Sequence, residues 1–338
     1  MGHAFRIREI ARQAGLSEAT VDRVLHHRGG VRPDTTNDVH RAIADLERQR
    51  TQVRLTGRTF LVDLVMQTPE RFSSAVRRAF DAELPLLRPA GIRVRYHLRE
   101  TGTPEELVAT LGRLRRRGSD GVILKGPDVP SVRHAVDDLA GAGVPVLTFA
   151  TDLPGSRRLA YVGIDNRAAG ATAAYLITQW LGDRPGDVLL TLSRGYFHGE
   201  DQRKAGFRRA LPHRTVVEID NSDGLDATMR GLIERLPRRD VAAVYSIGGG
   251  NAAIVEAFGA HRPVFVAHDL DADNRRLLRN GALSAVLHHD LHQDVRHACR
   301  LLLRAHGALP GPVGSTSSNI QVVTPFNVPL PPDGRVLP

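Results

Sequence analysis

The sequence predicts a small all-α head followed by a bilobed α/β body with two parallel sheets, and three observations predict it. About forty residues near the amino terminus carry three short amphipathic segments in close succession. From Thr59 onward, short β-rich runs alternate with segments of helical length. Those runs number about eleven, too many for one doubly wound sheet, so two lobes are expected.

In the head, IREIARQAGLSEATVDRVLHH places Ile7, Ile10, Ala11 and Ala14, then Leu16, then Val21, Val24 and Leu25 at helical spacing on two successive segments. Gly15 can take the positive φ that ends the first helix, and Ser17 can accept a backbone N–H at the start of the second. So short a connection makes a sharp corner. A third segment starts after Pro33, with Val39, Ile43 and Leu46 as its buried stripe and Asp34 near its positive end. Two helices joined by a short glycine-containing turn and closed by a third form a helix-turn-helix unit.

In the body, the expected strands are TFLVDLVM, IRVRYHL, GVILK, PVLTFA, AYVGI, DVLLTLS, TVVEI, VAAVYSI, PVFVAH, LSAVLHH and NIQVVTP. Helical segments such as PEELVATLGRLRRRG and RAAGATAAYLITQWLG lie between them. Near-continuous apolar strands separated by helices imply parallel sheets covered on both faces. The cleft between two such lobes collects the carboxyl ends of strands from both. The division expected is a head over 1–50, a basic linker over 51–58 and a body over 59–338. The run LERQRTQVRLTGRTF that contains the linker carries Arg48, Arg50, Arg54 and Arg58.

The chain has 338 residues, 41% of them hydrophobic, enough for a sizeable core. A formal charge of +9 permits a polyanionic partner. Only Lys125 and Lys204 among its 46 basic residues are lysines, a bias that reads as coding composition and does not argue for phosphate binding. A single cysteine, Cys299, excludes an internal disulfide framework and a cysteine-based zinc site, and fits a reducing compartment. No apolar run reaches about 18 residues, and Arg6, Arg8, Glu9 and Arg12 interrupt any apolar signal core. A cytoplasmic protein without a membrane partner is expected.

Catalytic constellations are missing from the pattern. SIGGGNAA follows a strand and opens a helix but lacks the glycine spacing of a dinucleotide loop. There is no GxxxxGK[ST] phosphate loop and no GxSxG nucleophile elbow. LHHDLHQDVRHACR gathers His288, His289, Asp290, His292, His297 and Cys299, yet adjacent strand residues point to opposite faces and His292 and His297 share no helical face. Neither an enzyme, a cofactor nor a metal site is expected.

IREIARQAGLSEATVDRVLHHRGGVRPDT resembles the DNA-binding head of the LacI/galactose-repressor family of transcriptional regulators. The resemblance rests on Ile10-Ala11, Ala14-Gly15-Leu16-Ser17, Ala19-Thr20-Val21, Arg23-Val24-Leu25 and Val31. It implies that the second helix lies in the major groove of double-stranded DNA, with Glu18, Ala19 and Arg23 at the base-reading positions. Arg23 would bond guanine O6 and N7, Glu18 would accept from cytosine N4, and Ala19 would touch a thymine methyl. Ser17, Thr20, Arg28 and Arg32 would contact phosphates and fix register. Where the family continues with Tyr-x-Pro-Asn and a hinge helix, this chain has neither the proline nor the asparagine, and Leu55 is the candidate for the minor-groove wedge.

The body resembles the ligand-binding part of the same family, which shares the fold of type I periplasmic sugar-binding proteins. GVILKGPD, GVPVLTFATD, YVGIDNRAAG, RKAGF and VFVAHD carry that resemblance, in this order. It implies Asp128, Asp165, Arg203, Asp269 and His288 as effector contacts, since planar polar side chains bond pairs of sugar hydroxyls. Where the family often has an Asn-Asp pair, Gly248-Gly249-Gly250-Asn251 stands instead, which could open room for a bulkier group or turn N–H groups toward an anion, with Asn251 as the substitute contact. Gln67, Phe72 and Lys125 complete the cleft candidates, Lys125 as a counter-charge for an acidic ligand. The function implied is a homodimeric regulator, a repressor in most of the family, that binds a palindromic operator and senses a sugar or polyol. The rival readings are a sugar-binding solute receptor and an α/β enzyme with a fused helical head.

Overall fold

The computed structural model describes residues 5–55, 57–88, 90–236 and 240–329. The head consists of α1 (Ile7–Ala14), α2 (Glu18–Leu25) and α3 (Pro33–Leu55). Gly15 closes α1 at φ 66°, where a side chain would be strained, and its N–H bonds back to the last turn. Ser17 then caps α2 by accepting from the Thr20 N–H at 3.1 Å. Ile10, Ala11, Val21, Val24, Val39 and Ala42 fill the centre of the three-helix unit, with Ile43 and Leu46 packed at its margin.

Helix α3 runs unbroken to Leu55, so residues 51–55 of the expected linker are helical. The run from Glu47 to Arg54 contains no proline or glycine to stop it, and the next glycine, Gly57, has φ 78°. The side chain of Leu55 lies outside the described residues.

The body forms two six-stranded sheets. The first contains β1 (Thr59–Gln67), β2 (Gly91–Arg99), β3 (Gly121–Lys125), β4 (Val146–Phe149), β5 (Ala160–Ile164) and β11 (Thr316–Ser318), in the spatial order β11-β5-β4-β3-β1-β2, all parallel. Helices α4 (Glu70–Glu83) and α12 (Leu291–Ala305) cover one face, burying Phe72, Val76, Phe80, Val295 and Cys299 against Val62, Leu64 and Phe149. Helices α5 (Pro104–Arg117) and α6 (Pro130–Gly141) cover the other through Leu107, Leu111, Val132 and Val136.

The second sheet contains β6 (Asp187–Thr191), β7 (Val216–Ile219), β8 (Val241–Ser246), β9 (Val264–His268), β10 (Ala285–His288) and β12 (Gln321–Val323), in the order β12-β10-β9-β8-β6-β7. Strand β12 runs antiparallel to β10, so the sheets are mostly rather than wholly parallel. Its covering helices are α7 (Asn166–Leu181) and α8 (His198–Ala210) on one face, and α9 (Asp226–Ile233), α10 (Asn251–Phe258) and α11 (Ala272–Arg279) on the other.

The chain passes between lobes three times, after β5, after β10 and between β11 and β12. Strand β11, TSS, gave no apolar signal and went unread in the sequence; it pairs only at the edge of β5. In each sheet the chain order reverses beside the first strand, with β1 between β2 and β3 and β6 between β7 and β8, so the two switch points open toward one cleft.

Candidate functional site

On the head, the faces of α2 are divided. Val21 and Val24 are buried, while Glu18, Ala19 and Arg23 are exposed. Ser17, Arg28 and Arg32 are exposed as well, and Thr20 is half-buried. The Ser17 and Thr20 hydroxyls lie 2.8 Å apart at the start of α2, where backbone N–H groups also point outward. Arg28 donates to Asp22 at 3.0 Å, an exposed pair that a phosphate can displace at little cost.

In the body, the cleft between the lobes is lined from the carboxyl ends of strands in both sheets. Gln67 ends β1, Lys125 ends β3, Ser193 follows β6, Gly248 to Asn251 follow β8, and His268 and Asp269 stand at the end of β9. Six of the nine expected contacts meet here: Gln67, Phe72, Lys125, Arg203, Asn251 and Asp269.

Three do not. Asp165 is exposed and caps α7 by accepting from the Ala168 N–H at 3.0 Å, a role any crossover into a helix asks of this position. Asp128 is held by Arg133 of its own lobe at 2.5 Å, and His288 accepts from the Leu270 N–H at 3.2 Å. His288 is half-buried there, and the desolvation of its ring pushes its pKa down to about 4.

The remaining polar residues of the LHHDLHQDVRHACR segment go to separate partners. His289 bonds Asp294, His297 lies 2.7 Å from the Thr316 hydroxyl, and Cys299 is in the core. Among the described residues no cluster of metal-ligating side chains forms.

The glycine run is not open room. Arg71, from the first turn of α4, crosses the cleft, donates to the Gly224 carbonyl at 2.7 Å and pairs with Asp271 at 3.1 Å. A Cβ on Gly249 would stand 1.8 Å from its terminal nitrogen, and the backbone there has φ 100°, so only glycine fits beneath the guanidinium. Arg194 reaches the other way, from the second lobe to the Gly102 carbonyl at 3.1 Å, while pairing with Asp223. Arg71, Arg194, Asp223 and Asp271 were missed in the sequence because each matters only through the opposite lobe or a distant loop.

Helix α8 supplies Glu200 and Arg203. It is pressed onto α7 by two glycines: a Cβ on Gly170 would meet the Arg203 carbonyl at 1.9 Å, and one on Gly206 the Arg167 carbonyl at 2.0 Å. Arg203 is buried, and its Nε donates to Asn166 at 2.8 Å. Glu200 accepts from the Ser193 N–H at 2.8 Å and from the Ser193 hydroxyl, and burial raises its pKa. Lys125 lies with its ammonium 4.5 Å from the Phe197 ring centre and 5.7 Å from that of Phe72.

His268 bonds Tyr245 at 2.7 Å, and burial, then Arg203, hold its pKa well below the usual value, so the ring is neutral. Among the described residues, its Nδ1 and the Asn251 Oδ1 are buried polar atoms without a partner. Asp269 adopts φ 65°, an unfavourable conformation for a side chain, fixed by the bonds of its N–H to Leu287 and of its carbonyl to Asn274.

A helix-turn-helix head joined to a two-lobed body with a polar cleft defines a DNA-binding regulator with a ligand-binding domain. Residues 66–307 match the family of the periplasmic binding protein domain, residues 6–48 match bacterial regulatory proteins of the lacI family, and the chain belongs to that family of regulators. No curated protein matches the chain.

Among solved structures, the body is similar to GanP, a glucose-galactose binding protein from Geobacillus stearothermophilus, at 20% identity and TM-score 0.71, covering 81% of this chain and 100% of that one. A solute-binding protein of an ABC transporter from Burkholderia graminis, in complex with D-arabinose, matches at 20% identity and TM-score 0.68, covering 81% and 97%. A candidate LacI transcriptional regulator from Bacteroides fragilis matches at 17% identity and TM-score 0.68, covering 80% and 97%. No helix of the described residues is long and apolar enough to cross a membrane.

Proposed function

We propose that this regulator acts as a cytoplasmic homodimer, most simply a repressor, on a palindromic operator, and that a sugar-like effector in the cleft sets its operator affinity. The observation that carries the proposal is the division of α2, which buries Val21 and Val24 and leaves Glu18, Ala19 and Arg23 free to face base edges. One recognition helix reads only a few base pairs, so two heads one helical turn apart give the specificity a regulator needs. Ser17, Thr20, Arg28 and Arg32 serve as phosphate contacts.

The effector enters between the lobes and bonds the cleft groups at the strand ends. Its influence on DNA equals the difference between its affinities for the two lobe arrangements. The contacts of Arg71 and Arg194 across the cleft favour the closed arrangement, and an effector that meets both lobes adds to them. The similarity to sugar-binding proteins supports a polyhydroxylated ligand.

The body alone would suit a solute receptor, and the α/β fold an enzyme. Fluorescence anisotropy on DNA fragments flanking the gene, at about 0.1 to 0.2 M salt where non-specific binding is weak, separates these readings. Saturable, sequence-selective binding modulated by a sugar supports the proposal. Sugar binding without DNA binding contradicts it in favour of a receptor, and chemical turnover of the sugar in favour of an enzyme.

A further inference from the structure

Charges in the cleft are unevenly matched. Arg71 pairs with Asp271, and Arg194 with Asp223. Outside these two pairs the cleft lining holds two cations, Lys125 and Arg203, and three carboxylates, Glu100, Glu200 and Asp269. Among the described residues neither Lys125 nor Arg203 has a carboxylate within ion-pair distance: Lys125 rests against Phe72 and Phe197, and Arg203 spends its Nε on the neutral amide of Asn166. Glu200 and Asp269 act on Lys125 only through space. Both oxygens of Glu200 are engaged by Ser193, and Asp269 faces His289 at 3.8 Å.

Resting on the reading of this cleft as the effector site, we propose that its ligand is an anionic sugar derivative. The carboxylate or phosphate sits against Lys125 and the terminal nitrogens of Arg203, and the hydroxyls meet Asn251, His268 and Asp269. Closing the lobes strips water from both cations, and two aromatic rings replace only part of an ammonium's hydration. Hydroxyls of a neutral sugar restore only part of that loss, whereas an anion restores more through hydrogen bonds between opposite charges, for which the planar fork of Arg203 is suited to either oxyanion.

The polar atoms without partners describe the rest of the ligand. Asn251 Oδ1 can only accept, so it calls for a hydroxyl donor. His268 Nδ1, on a neutral ring, takes either role according to how Tyr245 sets the tautomer. Asp269 accepts from hydroxyls and lines the same cleft from the end of β9. A small acid with several hydroxyls meets both requirements.

The test uses the full chain and stereochemically matched sets, titrated by calorimetry: glucose, gluconate and glucose 6-phosphate, and galactose, galacturonate and galactose 6-phosphate. An anionic member is expected to bind about tenfold or more tightly than its neutral counterpart, the scale of one charged hydrogen bond. Preference within the anionic arms identifies carboxylate or phosphate. Lys125→Met is expected to remove the preference and Lys125→Arg to keep it, with thermal melts showing that both variants fold. Neutral sugars binding as tightly as their acids and phosphates would overturn the anionic assignment alone. Binding by no member, neutral or charged, would overturn the sugar-effector reading and this inference together.

Discussion

Arg71 and Asp271 lie 3.1 Å apart although they belong to opposite lobes, one on the first helix of the body and the other at the N-cap of α11. Asp271 is almost fully buried, so the pair closes the cleft at a point where leaving either charge alone is costly. Arg71→Ala should lower the stability of the body by about 1–3 kcal/mol, because it removes the ion-pair partner of Asp271 and the donor to the Gly224 carbonyl. Chemical denaturation measures this, and Asp271→Asn in the Arg71→Ala background should recover part of the loss. Additive losses in the double variant would show that the two residues do not act as a pair.

Gly249→Ala tests the same closure from the other side. Its Cβ would occupy the place of the Arg71 guanidinium, 1.8 Å from the nitrogen. The expected outcome is a more open body, read as a larger radius of gyration by small-angle scattering, and a weakened operator response to effector. An unchanged radius and response would mean that Arg71 does not need this glycine.

Arg23→Ala should cost about 1–3 kcal/mol on the specific operator and far less on random DNA. Anisotropy titrations on both sequences give the comparison. Equal losses would assign Arg23 to the phosphates.

The α7–α8 contact should tolerate no added carbon. Gly170→Ala or Gly206→Ala forces apart helices whose backbones stand closer than a Cβ allows, and overpacking of this kind costs about 1–3 kcal/mol. Because α8 carries Glu200 and Arg203, the same variants should weaken effector binding in calorimetry while the far-ultraviolet dichroism of the fold is kept.

Lys125 gives the anionic-ligand proposal a pH signature. Burial pushes its pKa down to about 8 in the unliganded cleft. An anion beside it raises that value, so binding near pH 8 to 9 should take up protons, and affinity should fall as pH rises through about 8. Calorimetry in two buffers of different ionisation enthalpy checks the sign. Proton release, or affinity that rises over this interval, would contradict an ammonium–anion contact.

How much of this was legible in the sequence follows from the range of each interaction. Gly15 and Ser17 act on their own neighbours, so the corner between α1 and α2 could be read locally. Lys125 and Asp269 stand just beyond apolar runs, and parallel sheets bring such positions to a common cleft. Asp269 lines the cleft and His288 does not, because periodicity marks the end of a strand without saying which of two neighbouring ends opens into the cleft. Asp165 failed because a helix cap and a ligand contact ask for the same residue at the same place. Arg71 was illegible: its partners, Gly224, Gly248 and Asp271, come from three loops of the other lobe, and nothing near it in the chain signals them.

The central claim, that the cleft and the head are energetically coupled, is tested most directly by measuring operator affinity of the full chain with and without saturating effector, and effector affinity with and without operator. Coupling predicts that both change by the same factor, about 5- to 150-fold for typical allosteric proteins. An operator affinity that stays constant while the cleft fills would contradict it.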